Sequence, residues 1–251
     1  MDLLAIVESR TCTAEQIATR TGQIHATALA RSKYLEVANF RCIHPSDLAL
    51  LFAEYDTRFF DDQLRQTLGE IPLKWILSKR MTSAGGRTME LTTRQTGQRR
   101  FEISVSTTLL YGCFSADDHR PITVCGIVCE DRLQALQRVL EHELVHLTEM
   151  LLWHHSSCRK ERFQSISQRL FGHNGFQHRL ITARERAYAK FGIRPGLKVR
   201  FRFDGIEYTG FVNRVNKRAS VLVEDPTGQR YNDGKYYTTY YIPAQYLSAV
   251  E

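Results

Sequence analysis

The sequence predicts an α+β protein, in which helices with a small antiparallel sheet are followed by a small all-β barrel. Three observations predict it. Residues 131–153 carry one long helical pattern, with leucines at 133, 136, 140, 144, 147 and 151 gathered on one side. Upstream, Thr88-Met89-Glu90-Leu91-Thr92 and Phe101-Glu102-Ile103-Ser104-Val105 alternate apolar and polar residues, as half-buried strands do. After Pro195 the period switches to two, with short strand-like runs separated by Asp204-Gly205, Thr227-Gly228 and Asp233-Gly234 as turns.

The elements follow in order. Residues 1–45 read as a helical N-terminal extension. Thr13-Ala14-Glu15-Gln16 forms a capping box. Ala18 and Gly22 have a spacing that faintly suggests a helix-turn-helix, with a plain helix as the simpler alternative. Pro45-Ser46-Asp47 opens a stronger helix on which Leu48, Leu51, Phe52, Tyr55 and Phe59 keep helical spacing. Residues 71–77 read as a strand and Ala84-Gly85-Gly86 as a turn. The two alternating runs, joined through Gly97, read as a meander. Residues 117–121 form a loop, and 122–128 add one strand. A basic helix at 159–171 stops at Gly172, and a third helix at 175–191 stops at Gly192. The expected domains are residues 1–45, 46–193 and 194–251.

With 251 residues the chain can bury a core as one large domain or a medium and a small one. No apolar run approaches the roughly 18–20 residues that span a bilayer, and the first residues lack the basic stretch of a secretory signal. These features lead us to expect a cytoplasmic protein, nucleoid-associated if bacterial. The six cysteines contain no C-x-x-C pair, so reduced thiols are expected; Cys125 and Cys129, four apart, leave a second metal site or redox pair as the alternative. The net charge is +7, and residues 159–202 alone hold 12 Lys/Arg against Glu161 and Glu185. Such a basic segment suggests an anionic partner, nucleic acid first; a solvated face without a partner is the alternative.

His142-Glu143-Leu144-Val145-His146 carries the chemistry. Two histidines four apart lie one turn apart on one helix face, so both imidazoles can reach one ion. Glu143 is rotated by about 100° and can take a proton from water without being a ligand. The histidines point away from the leucine stripe, which puts them in a cleft. Zinc in a catalytic site takes a third protein ligand. The candidates are Glu149, His154, His155, His173 and His178. The His154-His155 pair sits at the helix end and cannot bend back, and Glu149 would crowd the pair. His173, in a loop just past the helix stop at Gly172, is the favoured third ligand, with His178 next.

His142-Glu143-Leu144-Val145-His146 followed by Gly172-His173-Asn174-Gly175-Phe176 resembles the SprT/Spartan metallopeptidases. Residues 51–60 resemble that family's opening helix, and Lys79-Arg80-Met81-Thr82-Ser83-Ala84-Gly85 its strand-and-glycine segment. The similarity covers residues 46–192. It implies a zincin-like domain holding one zinc ion, with His142, His146 and His173 as ligands and Glu143 as catalytic base. It also implies a protease that cuts proteins crosslinked to DNA. No paired-cysteine zinc ribbon follows; residues 195–251 instead resemble small KOW/Tudor-like barrels. The expected function is a zinc-dependent endopeptidase acting on DNA-associated or DNA-crosslinked proteins. It would engage single- or double-stranded DNA through the basic segment and the barrel, and no membrane. The alternatives are a nucleic-acid-binding adaptor with a structural zinc, and a general cytosolic metallopeptidase. Tyr111 and several arginines are candidate oxyanion donors.

Overall fold

The structure, a computed structural model, describes residues 1–250. The chain divides into two compact units: residues 1–116 with 120–180, and residues 117–119 with the chain from 181 onward. Both helices and sheets are present throughout, so the protein is α+β. Among the described residues, no helix is long and apolar enough to cross a membrane.

In the first unit, α1 (Leu3–Ser9) is capped by Asp2 and α2 (Ala14–Arg31) by the Thr13–Gln16 capping box. The α2 helix runs unbroken through Gly22, so the suggested helix-turn-helix is absent there. After α3 (Pro45–Phe60) and the short α4 (Gln63–Leu68) come β1 (Leu73–Ser78), β2 (Gly86–Thr92) and β3 (Arg99–Ser106), in the order β1-β3-β2. The β2–β3 pair is an antiparallel hairpin, with Gly97 at φ 66° in its turn. Strand β1 pairs parallel to β3, Trp75 opposite Ile103. The sheet is therefore mixed rather than the expected antiparallel meander. Residues 79–85 carry the chain past β3, so β2 enters at the opposite edge.

Helix α5 (Thr107–Gly112) leads to a small hairpin, β4 (Ile122–Val124) and β5 (Ile127–Cys129). Helix α6 (Arg132–Trp153), capped by Asp131, then runs through the middle of the unit. Leu133, Leu136, Leu140, Leu144 and Leu147 are fully buried, as the stripe predicts. Helix α7 (Glu161–Phe171) ends at Gly172 in the left-handed conformation. Phe171 packs into an aromatic cluster with Tyr55, Phe59 and Phe60 from α3, at centroid distances of 5.9, 4.9 and 6.1 Å.

The expected helix over 175–191 is in fact two elements, strand β6 (His178–Arg179) and helix α8 (Ala183–Phe191). The β4–β5 turn is the reason. Cys125 and Gly126 have φ of 52° and 80°, the two positive values of a tight hairpin turn. The Cys125 carbonyl accepts from the amides of Asn174 and Gly175, and its amide donates 2.9 Å to the Gln177 carbonyl. The backbone of 174–177 is thus consumed by the hairpin, and β6 adds to β4 with His178 opposite Val124.

In the second unit, β7 (Lys198–Phe203), β8 (Ile206–Val215), β9 (Ala219–Arg230), β10 (Tyr236–Ile242) and β11 (Ser248–Ala249) form one antiparallel sheet, β10-β9-β8-β7-β11. Its core gathers Val199, Phe201, Val212, Val221 and Ile242, and α8 contributes Ala187 to it. Asp204-Gly205 is a turn, as expected. Thr227-Gly228 is not; it lies within β9, where pairing with β10 shifts register between Tyr236 and Tyr237.

A Cβ on Gly126 would overlap the Asn174 side chain, and its φ of 80° already disfavours any other residue. Gly126→Ala should therefore cost about 2 kcal/mol of stability, measured by chemical denaturation. An unchanged midpoint would show that the hairpin does not clamp residues 174–177.

Candidate metal centre

Helix α6 sets His142 and His146 side by side, with Nε2 atoms 3.1 Å apart and ring centroids 4.8 Å apart. Two nitrogens on one tetrahedral zinc at bonds of about 2.05 Å stand about 3.3 Å apart. Hydrogen bonding on the far side of each ring aims these atoms. The Ser156 hydroxyl donates 2.6 Å to Glu149 Oε2, and Arg162 Nε donates 2.6 Å to Glu149 Oε1. With its hydrogen spent on Glu149, the Ser156 oxygen accepts from His146 Nδ1 at 2.6 Å. The proton therefore sits on Nδ1, and the Nε2 lone pair faces the cleft. For His142 the outer partner is Cys125, with Sγ 3.5 Å from Nδ1. Phe163 of α7 packs against both rings at 4.8 and 4.5 Å.

Burial keeps these imidazoles neutral. It pushes His146 down to about 4 against the pull of Glu149. It takes His178 to about 3, with His173 and His146 adding to the effect. His142 is lowered further still, by burial and then by His178. Neutral imidazole is the form that binds a metal.

Glu143 lies beside the pair and is almost fully buried. Thr88 of β2 donates 2.7 Å to its Oε2. Burial drives its carboxyl up to about 8, with the Thr88 contacts opposing. The two glycines read as a turn instead make room. A Cβ on Gly86 would stand 2.5 Å from Glu143 Oε1, and one on Gly85 3.0 Å from His178 Nδ1. Strand β2 can approach α6 this closely only because both positions lack side chains.

The cleft has a volume of about 610 Å³, and its walls include His142, Glu143, His146, Cys158 and His178, with Arg87 and Arg179. His178 stands 4.4 Å from His142 by ring centroids. Its Nε2 is buried and has no hydrogen-bond partner. Two sets of ligand atoms lie within 4.8 Å of one another: His142, His146 and Cys158; and Cys125, His142 and His178.

His173, expected as the third ligand, is elsewhere. It is buried with Nε2 2.8 Å from Glu141 Oε2, on a different face of α6 from the pair. Glu141 also accepts from Tyr55 at 2.7 Å and from Arg138 at 2.8 and 2.9 Å. Burial raises the Glu141 carboxyl, but Arg138 and His173 outweigh it and hold it below its ordinary value. The 172–175 loop cannot swing across because its amides are tied to Cys125. His178, five residues later on β6, lines the cleft. Of the other candidates, Glu149 holds Ser156 rather than a metal position, and His154 caps α6 with Nδ1 3.4 Å from Arg99. Tyr111 is not on the cleft wall; it packs on Phe40 and Arg132.

The six cysteines are all free thiols. Four cations of the basic segment have partners close by. Arg162 pairs with Glu149, Arg186 with Asp118 and Lys190 with Asp117, and Arg169 caps the carbonyls of Val7 and Arg10. A different cationic surface lies on the second unit's sheet. A groove of about 670 Å³ is lined by Arg214, Lys217, Arg218, Tyr231 and Tyr241 with polar side chains and no carboxylate. Among the described residues, no ion pair involves those three cations. Phe201, Tyr208 and Tyr240 stack within the unit, whereas Phe211, Tyr236 and Tyr241 are exposed. Comparison with family models, curated proteins and solved structures finds no match to this chain.

Two outcomes follow from this geometry. Ser156→Ala should weaken zinc affinity about 10- to 100-fold, read by competition with a chromogenic chelator. In chelator-treated protein, His146 is neutral in the fold below its unfolded pKa, so stability falls as pH drops from about 6.5 through 4. That shift is worth on the order of 3 kcal/mol, and His146→Gln should flatten this part of the pH–stability curve. Parallel curves for the two proteins would contradict the buried neutral imidazole.

Proposed function

We propose that the chain is a zinc-dependent endopeptidase that acts on DNA-associated proteins, with His142, His146 and His178 as ligands and Glu143 as the base. The observation that carries the enzymatic half is Glu143, buried beside two converging Nε2 lone pairs and held by Thr88. A purely structural site has no use for such a carboxylate. The donors suit zinc: His142 and His146 are neutral imidazoles fixed from behind, and His178, whose buried Nε2 lacks a partner, has a ligand atom within 4.8 Å of one on His142 and would turn toward His146 to join them.

Bound there, zinc would supply an acidified water molecule and a Lewis acid for a peptide carbonyl. Thr88 fixes one Glu143 oxygen, and the other, bordering Gly86, accepts the proton of the attacking water. Glu143 then returns that proton to the leaving amine. Arg87 and Arg179 are the cations on the cleft wall, suited to the negative charge that develops on the carbonyl oxygen. Burial favours the protonated carboxyl, and a nearby dication favours the carboxylate; the working group sits between them.

The DNA half rests on the groove of the second unit. Three unpaired cations with tyrosines beside them suit a phosphate backbone and stacked, unpaired bases. Retention of the chain on nucleic acid would bring the peptidase to proteins bound there.

Glu143→Gln should keep about one zinc per chain and abolish cleavage of a denatured protein substrate. His178→Ala should lose zinc as His146→Ala does, and His173→Ala should retain it while losing stability. Zinc retained in His178→Ala and lost in His173→Ala would reverse the ligand assignment. Exchanging Arg214, Lys217 and Arg218 for glutamine should weaken binding to single-stranded DNA and lower its salt dependence. An unchanged salt slope would move the DNA site off this sheet.

A further inference from the structure

We propose that Cys158 is a fourth, displaceable ligand of the same ion, a thiolate that occupies the water position and holds the centre closed until substrate or a thiol-directed ligand displaces it. The proposal rests on the peptidase reading for the existence of the ion, and it concerns a residue that reading does not use.

The sulfur of Cys158 lies within 4.8 Å of ligand nitrogens of both His142 and His146, and it faces the cleft that holds Glu143 and His178. It is not the only thiol near the pair, but the two thiols stand on different sides. Cys125 is fully buried against Nδ1 of His142, the nitrogen turned away from His146. Cys158 is half-buried on the open side, toward which the Nε2 atoms point.

The segment that presents Cys158 is built, not slack. Ser156 and the Ser157 amide are both tied to Glu149, at 2.6 and 3.4 Å. The carbonyl of Cys158 accepts 3.2 Å from Gln164, and Lys160 N donates 3.0 Å to the Ser157 carbonyl. Arg162 Nη2 donates 3.1 Å to the His155 carbonyl. The turn that orients His146 through Ser156 therefore also delivers the sulfur two residues later. A ligand and a plug are set by one anchor, Glu149.

The chemistry balances without a redox partner. On closing, the Cys158 thiol gives its proton to solvent, its sulfur takes a coordination position, and one water leaves. On opening, water returns and the sulfur is reprotonated. Three imidazoles and one thiolate complete a four-coordinate zinc site of the closed kind, whereas three imidazoles with an open position make the catalytic kind. The chain thus carries both arrangements, and the displaced thiolate decides between them.

The test loads the full-length chain with cobalt(II) and records its near-ultraviolet absorption, alongside zinc X-ray absorption. Wild type should show a thiolate-to-cobalt charge-transfer band, and the zinc sample one sulfur at about 2.3 Å. Cys158→Ser should bind one metal ion per chain, lose both signals and cleave substrate faster than wild type; Cys125→Ser should keep both signals. A metal-loaded wild type with only nitrogen and oxygen neighbours overturns the plug and leaves the peptidase reading standing. Signals that survive in Cys158→Ser and vanish in Cys125→Ser overturn it in favour of the other thiol. A wild-type chain that takes up no metal overturns both.

Discussion

The arrangement at the cleft depends on one chain of hydrogen bonds, from Arg162 through Glu149 and Ser156 to His146. An imidazole on a helix can rotate about two side-chain bonds and can carry its proton on either nitrogen. Ser156 removes both freedoms, because its oxygen can only accept once its hydrogen is committed to Glu149. The Nε2 lone pair is then fixed toward His142. Arg162 lies on α7 and its guanidinium stacks 4.1 Å over the Trp153 ring at the end of α6, so the same residue fastens the two helices and the relay. Loss of one link leaves a buried donor or acceptor unpaired, which costs about 1–3 kcal/mol.

This relay belongs to a wider constraint on α6. The helix is buried around most of its circumference, yet it carries Glu141, His142, Glu143 and Glu149 inside the unit. Buried charges and polar groups persist only where partners meet them. Glu141 is met by Arg138, Tyr55 and His173; Glu143 by Thr88; Glu149 by Ser156 and Arg162. Each carboxylate recruits a different part of the chain, which is how one helix organises residues from position 55 to 173. His178 Nε2 and His173 Nδ1 are the buried side-chain atoms left without a partner among the described residues. Of the two residues only His178 lines the cleft, and on that difference rests its proposal as a ligand in place of His173.

Periodicity made α6 and its two histidines legible in the sequence, and the capping residues Thr13 and Asp131 mark true helix starts. Strand alternation found the β2–β3 hairpin and the second unit's strands. The placement of β1 parallel to β3 was not legible, since local patterns say nothing about which edge a crossover reaches. The position of His173, against Glu141 and away from the pair, was not legible for a related reason. Gly172 does end α7, but where the next residues go is decided by hydrogen bonds to Cys125, about 50 positions earlier. Glu149 was visible on the histidine face, yet its role needed Ser156 to be seen beside it. Thr88, Gly85 and Gly86 read locally as a turn and a strand, and nothing local ties them to the cleft; their importance comes from how closely β2 approaches α6.

The central claim is that this chain holds one metal ion between His142 and His146 and completes its coordination with His178. The most direct measurement is an anomalous-difference map from crystals of the zinc-loaded protein. The account predicts one peak within about 2.0–2.1 Å of Nε2 of His142 and of His146, with His178 turned toward it and Glu143 alongside but unbonded. A peak at His173 and Glu141, or no peak at the pair under saturating zinc, would contradict it.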